Sequence, residues 1–479
     1  MRGLWRWLEP LALVRVVAAQ WTEIAVYAAS FIACLVFARF ALDRHGSFES
    51  NAYDFGFFDQ IIWNTSQGRW FETSFTPYNF LGQHFQPVLL LFALAYRLGA
   101  GIEILLVTQS LFVGAAAVPL FYAVRKATSS GSAALFMSVG FLLSPSLHHG
   151  LDFDFHPELM GYFFVFLAAY FLVAGRPLAT IGSLLPLLLL KEDMPLILAA
   201  FAILIFARGF RRAGAALFGV AATYAMTVVL LIMPWIRDGS GDLTDRYGYL
   251  VAGSTWWSIA PDIAGRSLDQ FWSEPAAALV NLLGSTAFAG VLNPLALILA
   301  APSFLLAGLS EHPQHSRLEL HYAMAPLALT WVAAVLGVGT LSRLRLRAST
   351  GIAPSSGAGA VIVGCAIVSF FMWSPYSPRT ERHAPTEAHQ AVIREALETI
   401  AAGASTSAQG TLLPHLSQRR EIFEFPRLEG AAYVIVDPSL PTTGQTRDAG
   451  YEREIDELAS RGYALVFDSD GVQVFRRAQ

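Results

Sequence analysis

The sequence is poor in charged residues and in cysteine. Only 14% of its 479 residues are charged, against about 25% in soluble domains, and 54% are hydrophobic. This shortage of charge excludes an ordinary soluble protein and places most of the chain in lipid. The two cysteines, Cys34 and Cys365, lie far apart in apolar runs, which argues against a disulfide framework or a CxxC metal site. A net charge of -4 offers no basic surface, so we expect no nucleic-acid partner.

Long apolar runs predict a polytopic membrane protein that contacts the lipid bilayer along most of its length. A spanning helix needs about 20 mostly apolar residues, and the run 25–42 is too long for the core of a cleavable signal. We therefore expect a retained first span and about eleven spans in all. The predicted spans are 22–42, 102–124, 131–148, 157–174, 178–190, 194–208, 213–235, 276–292, 295–310, 321–341 and 357–374.

Basic and acidic clusters alternate along the chain. Arg125 and Lys126 form one basic cluster, and Asp152 and Asp154 begin the next acidic one. Because cytoplasmic loops collect Lys and Arg, we expect a plasma (inner) membrane protein with a cytoplasmic N-terminus and an extracytoplasmic C-terminus. The apolar segment 87–98 is only about a dozen residues long, so we expect a short helix along the outer interface rather than a span.

The composition changes after Pro378. Alternating apolar residues predict strands at 432–437 and 463–468, and the turn sequence DSDG leads into a last strand that completes a hairpin. A helix is expected over 387–402. The expected fold is therefore mainly α, with a transmembrane bundle over 1–378 and a small extracytoplasmic α/β domain over 379–479.

Acidic and histidine side chains mark the first predicted outer loop. Asp54 and Asp59 lie among aromatics in YDFGFFDQ, and their i, i+5 spacing does not place them on one helical stripe. Gly56 indicates a bend between them. His84 follows in LGQHFQP. The alternative interpretation is an interfacial aromatic anchor with solvated acids and a structural histidine.

The second outer loop, HHGLDFDFHPE, is denser in polar groups. Asp154 and His156 are candidate ligands of a divalent cation, because imidazole and carboxylate suit several divalent metals. Glu158 is a further candidate for substrate binding. No two-His helical spacing of a zinc enzyme is present, and an outer loop is polar by default, so the cluster is also compatible with simple solvation.

Two more segments carry charge at predicted span ends. Lys191, Glu192 and Asp193 interrupt an apolar run, so they are either buried functional charges or a tight outer turn. In the loop 237–274, Arg246 lies among Tyr and Trp residues. This mixture suits an anionic lipid headgroup, although interfacial anchoring explains it as well.

These motifs together resemble a known family. YDFGFFDQ, LGQHFQP, DFHPE, KEDMP, HYAMAP and the final DSDGVQVF are similar to a large prokaryotic family of membrane proteins known only as a domain of unknown function. That family in turn resembles the type-C (GT-C) glycosyltransferases. Members of that superfamily have an in-to-out first span, an acidic first outer loop, interfacial helices before the second span and a soluble domain after the last.

The resemblance implies inverting sugar transfer from a polyprenyl-phosphate donor to a cell-envelope glycan, lipid or protein. Asp54 takes the place of the carboxylate that acts as base toward the acceptor. His84 stands where lipid-A aminoarabinose transferases have a Lys-Pro pair that meets the donor phosphate. Asp154 and His156 occupy the second-loop position of an acid near the reaction centre.

In such a reaction the departing phosphate gains negative charge. Lys191, His84 or a loop arginine would stabilise it, and a divalent cation is the cofactor that would assist them. Asp59, Glu192 and Asp193 would position the acceptor or these cations. A transporter and a non-catalytic assembly factor are the alternatives, but the charges lie at span ends and no half-to-half repeat is visible.

Overall fold

The protein is described by a computed structural model and is mostly α-helical, with a small β-sheet near its C-terminal end. The structure describes residues 5–237, 282–303, 318, 320–343, 353–382, 384–440 and 450–478, with side chains from residue 20 onward. The helical bundle and the small sheet that the sequence predicts are both present in these ranges.

Within the described ranges, six helices are apolar and long enough to cross a bilayer. They are Gln20–Gly46, Glu103–Thr128, Gly131–Asp152, Arg211–Ile236, Leu320–Arg343 and Pro354–Trp373. Four apolar helices are shorter: Pro157–Val173, Pro177–Leu189, Pro195–Ala207 and Pro294–Ser303. The predicted spans 276–292 and 295–310 lie partly outside the described residues, and the count of about eleven stays a prediction.

The long helices pack closely through small residues and large aromatic rings. A Cβ at Gly114 would lie 2.6 Å from Cys34 Sγ, so the first two long helices approach each other there as only glycine permits. Trp331, which is fully buried, meets Phe141 edge to face with ring centroids 5.8 Å apart. The bundle therefore has a tightly packed core.

Charged residues mark the two ends of the bundle. Arg125 pairs with Glu23 near the beginning of Gln20–Gly46, whereas Arg44 lies 3.2 Å from Asp152 near its end. Glu23 and Arg44 are 21 residues apart on this helix, which corresponds to about 32 Å, so the two pairs are separated by about the thickness of the hydrocarbon core. The loops with the candidate site residues gather at the Arg44 end.

The segment expected at the interface contains the helix Leu89–Arg97, which has nine residues and is too short to span. Phe92 and Tyr96 are buried, and Leu91 and Leu94 are exposed. One side of the helix is thus buried and the other is exposed and apolar. This pattern is typical of a helix that packs on the bundle with one side and contacts lipid with the other. Two further short helices precede it, Phe57–Ser66 and the single turn Phe80–Gln83.

The C-terminal part forms a five-stranded mixed sheet in the order β2-β1-β3-β5-β4. The strands are β1 Thr406–Ala408, β2 Ile422–Glu424, β3 Tyr433–Val436, β4 Tyr463–Ser469 and β5 Val472–Arg477. The helices Glu387–Glu398 and Tyr451–Asp456 accompany it. The predicted helix, the strand at β3 and the hairpin of β4 and β5 are thus confirmed. Strands β1 and β2 have only three residues each, too few to show alternation.

The C-terminal part packs onto the first loop. The turn Leu413–His415 covers Gly56, where a Cβ would lie 2.5 Å from Leu413 Cδ2. Gln60 donates its amide to the backbone carbonyl of Arg420 at 3.0 Å. The chain after 378 is therefore in direct contact with the loop that carries Asp54, and the domain boundary itself stays a prediction.

Candidate functional site

The first loop is held in place by its aromatic residues. Ala52–Gly56 forms a short π-helical turn that runs into Phe57–Ser66, with Phe55 and Phe58 buried beneath it. The Asp54 side chain is 25% exposed, and its Oδ2 lies 2.8 Å from Nε2 of His156. The aromatics therefore anchor the loop, and Asp54 is neither a freely solvated acid nor a buried one.

Electrostatics keep Asp54 ionised. Burial raises the pKa of this carboxyl, but the charge and hydrogen bond of His156, followed by the charges of His84 and Lys191, bring its pKa below the usual value. Asp54 therefore carries a negative charge at neutral pH. The same interactions show that the two loop histidines and Lys191 lie within electrostatic range of one carboxylate.

Asp154 stabilises the conformation of the second loop. Its φ is 62°, in the left-handed region that Asp tolerates better than most residues. Its carboxylate accepts a hydrogen bond from the Asn51 backbone N–H at 2.9 Å and lies 4.0 Å from Arg44. Burial raises the pKa of Asp154, although Arg44 opposes this effect. The carboxylate faces the end of the first helix rather than His156.

Gln109 fixes the direction of His156. Its amide donates to the backbone carbonyl of Asp154 at 2.9 Å, and its oxygen accepts the backbone N–H of His156 at 2.6 Å. The expected pairing of Asp154 with His156 on one cation therefore differs from the structure, in which the Asp154 carboxylate holds the loop and His156 reaches Asp54.

Lys191 and Glu158 form a buried ion pair. Lys191 Nζ lies 2.8 Å from Glu158 Oε1, with side-chain exposures of 9% and 3%. Burial lowers the pKa of Lys191, but Glu158, Asp193 and Glu192 raise it above its usual value, so Lys191 stays charged. Residues 192–194 form a turn, as one of the two interpretations expects, but Lys191 in front of this turn is buried rather than solvated.

The residues after Lys191 meet the first loop. Glu192 accepts the Phe85 backbone N–H at 3.0 Å and lies 2.9 Å from Nδ1 of His84. Burial raises the pKa of Glu192, but His84 and Lys191 bring it to about 2. Burial also raises the pKa of Asp193 to about 6, against the opposing charge of Lys191. His84 is thus joined to the Lys191 segment.

His321 is a site residue that the sequence motifs did not single out. Its ring stacks on that of His156 with centroids 3.7 Å apart and an interplanar angle of 15°. Its Nε2 lies 3.8 Å from Glu158 Oε1. The motif HYAMAP contributed to the family resemblance, but a single histidine at the start of a span gives no signal of its own. One ligand atom each of Asp54, His156 and His321 lies within 4.8 Å of the others.

Asp59 lies away from this group. It is fully buried, and its carboxylate accepts hydrogen bonds from Tyr96 at 2.6 Å, Ser417 at 2.5 Å and Gln418 at 3.2 Å. Burial raises the pKa of Asp59 to about 6. The structure thus places Asp59 at the contact between loop and tail, and its expected role in positioning a substrate stays a prediction. Arg246 lies outside the described residues.

The structure therefore gathers most of the candidate residues at one end of the bundle. An ionised carboxylate, three histidines and a buried ammonium group lie on segments that flank the ends of apolar helices. Such a group can accept a proton from a hydroxyl, stabilise a developing anion and ligate a cation.

Comparison with known proteins gives a family and a distant structural similarity. Among curated proteins, none matches this chain. The solved structure of the arabinofuranosyltransferase AftD from mycobacteria is similar at 12% identity and a TM-score of 0.49. That match covers 95% of this chain and 40% of the AftD chain, so this chain spans less than half the length of that protein. A family model described as predicted membrane protein (DUF2079) matches residues 44–474, nearly the whole chain, and the protein therefore belongs to this family.

Proposed function

We propose that the protein is a membrane glycosyltransferase that moves a sugar from a polyprenyl-phosphate donor to an acceptor outside the cytoplasm, with inversion. The observation that carries this proposal is the ionised, partly exposed carboxylate of Asp54 in contact with His156, within range of Lys191 and His84. A base and cations beside the ends of apolar helices suit a substrate with a reactive phosphate on a lipid tail.

Asp54 acts as the base toward the acceptor. His156 holds its Oδ2, which leaves Oδ1 for the acceptor hydroxyl. The acceptor oxygen forms a bond to the anomeric carbon of the sugar while the bond from that carbon to the phosphate oxygen breaks. The hydroxyl proton passes to Asp54, and the polyprenyl phosphate leaves with the electron pair of the broken bond.

Lys191 and His84 stabilise the departing phosphate. Lys191 is charged and buried, where an ammonium group acts more strongly on an anion than it does in water. Glu158 and Glu192 hold these two side chains in position at 2.8 Å and 2.9 Å. Asp193 is a third carboxylate that positions these groups. We assign Arg246 to binding of the donor's lipid headgroup.

The lipid chain of the donor lies in an apolar groove beside the site. The groove has a volume of about 570 Å³, and Phe85, Val220, Tyr224, Val228 and Ile232 line it. Phe85 connects the groove to the site, because its backbone N–H donates to Glu192. An isoprenoid chain in this groove would bring its phosphate close to His84.

The site faces away from the cytoplasm in this proposal, with the N-terminus inside and the domain 379–479 outside. Nucleotide sugars are absent from that compartment, so the sugar must arrive on a membrane-soluble carrier. The tail helps to keep the first loop in place through Asp59 and Gln60. A cell-envelope glycan, lipid or protein is the acceptor.

Purified protein incubated with polyprenyl-phosphate sugars and candidate acceptors tests the proposal. We expect release of polyprenyl phosphate by the wild type and a loss of at least about 100-fold in the Asp54→Asn variant, since general-base catalysis contributes 10²–10⁴-fold. Asp43→Asn is the matched control, because Asp43 is an exposed residue that pairs with Arg39 outside the site. Equal turnover by both variants, or none by the wild type across all donors, would contradict the proposal.

A further inference from the structure

We propose that Asp54, His156 and His321 bind a divalent metal ion such as zinc, cobalt or iron. The three residues come from three separate segments: the first loop, the second loop and the start of the helix Leu320–Arg343. The binding of the ion is independent of the proposed function, whereas its use in catalysis rests on that function.

The distances fit a coordination sphere. Nε2 of His156 lies 2.8 Å from the Asp54 carboxylate, and one ligand atom from each of the three residues lies within 4.8 Å of the others. In a tetrahedral site with metal–ligand bonds of about 2.1 Å, neighbouring ligand atoms are about 3.4 Å apart. At 2.8 Å the carboxylate and the imidazole are joined by a hydrogen bond, so they must separate by about 0.6 Å to hold an ion between them. The rings of His156 and His321 are stacked face to face, so at least one of them must rotate before both can point at one ion.

The donor set determines which ion is preferred. Two imidazoles and one carboxylate suit zinc, cobalt or iron, whereas magnesium and calcium prefer oxygen ligands alone. Three protein ligands also leave a position open for an exchangeable oxygen ligand, as in catalytic zinc sites. Asp54 is 25% exposed, so this open position can face solvent or a bound substrate.

The charge around the group favours a cation. The carboxylates in this region are Asp54, Glu158, Glu192 and Asp193, and the nearby basic residues are Lys191 and Arg237, the latter packed against Gly82. Among the described residues of this region, the four carboxylates outnumber these two basic groups. A divalent ion bound here offsets this excess of carboxylates, and it also favours the approach of the phosphate-bearing donor in the proposed function.

Metal binding can be measured without any turnover. Protein stripped with a chelator is titrated with Zn²⁺ by calorimetry, and Co²⁺ is used as a second probe whose visible spectrum reports nitrogen ligation. We expect one tight site in the wild type and a loss of at least about 10-fold in affinity for His321→Gln and Asp54→Asn. The Zn²⁺ site should persist in a large excess of Mg²⁺.

His149→Gln is the matched control, because His149 binds the backbone carbonyl of Trp373 away from the three ligands. It should bind Zn²⁺ as the wild type does. Unchanged affinity in His321→Gln, or displacement of Zn²⁺ by Mg²⁺, would overturn the proposed site. Tight metal binding without sugar transfer would contradict the enzymatic proposal alone, and sugar transfer by protein without metal affinity would contradict the site alone.

Discussion

Single residues show where sequence patterns reveal chemistry and where they do not. Asp54, His156 and Lys191 stand out in the sequence because charged groups next to apolar runs are rare, and the structure brings them together. Asp59 is conspicuous for the same reason, yet its partners are Tyr96 and Ser417. Ser417 lies 358 residues from Asp59, so no local pattern contains that contact.

Lys191→Met tests whether the buried ion pair stabilises the site. The substitution leaves Glu158 buried without its ammonium partner, and breaking such a pair costs about 3–5 kcal/mol. We expect a clear drop in the thermal unfolding temperature in detergent. Partial recovery is expected when Glu158→Gln is added, because the unpaired charge is then removed.

Lys126→Met is the control for this measurement, since Lys126 is exposed at the other end of the bundle. Its unfolding temperature should match that of the wild type. If Lys191→Met and Lys126→Met unfold at the same temperature, the Lys191–Glu158 pair does not contribute as proposed.

At the scale of elements, predictions are accurate where a local pattern is strong. The helix Glu387–Glu398 and the hairpin of β4 and β5 follow from periodicity and a DSDG turn. The nine-residue helix Leu89–Arg97 follows from a run too short to span. The sequence does not show that β1 and β2 pair in parallel, because parallel neighbours are set by crossovers.

The helix Glu387–Glu398 is joined to the sheet by His389. Its two ring nitrogens lie 2.7 Å from Asp437 and 2.7 Å from Asp470. Burial lowers the pKa of His389, but these two carboxylates raise it above the usual value. A folded pKa above the unfolded value of about 6.5 means that this contribution is complete below pH 6.5 and is lost as pH rises through the folded pKa.

Amide hydrogen exchange in the helix Glu387–Glu398 checks this dependence. We expect higher protection in the wild type than in His389→Gln at pH 6, and a shrinking difference as the pH is raised. Comparing the two proteins at each pH removes the intrinsic pH dependence of exchange. A difference that stays constant or grows with pH would contradict protonated His389 as the link.

At the scale of the whole molecule, composition alone indicates a polytopic membrane protein with a small C-terminal sheet. Hydropathy and the change in composition after Pro378 are local properties of the sequence, so they can be interpreted before the fold is known. The meeting of His321 with His156, and of the tail with the first loop, depends on how helices pack in three dimensions. The spacing of residues within a motif does not predict these long-range contacts.

Transfer from a lipid-linked sugar outside the cytoplasm requires Asp54 to face the outside. In a protein with Cys34 and Cys365 replaced by Ser, Tyr53→Cys is labelled in intact cells with a membrane-impermeant maleimide, because Tyr53 is 45% exposed beside Asp54. Lys126→Cys, at the opposite end of the bundle, is the control. We predict that Tyr53→Cys reacts in intact cells and Lys126→Cys only after permeabilisation; the reverse pattern would contradict an extracytoplasmic site that meets a lipid-linked sugar.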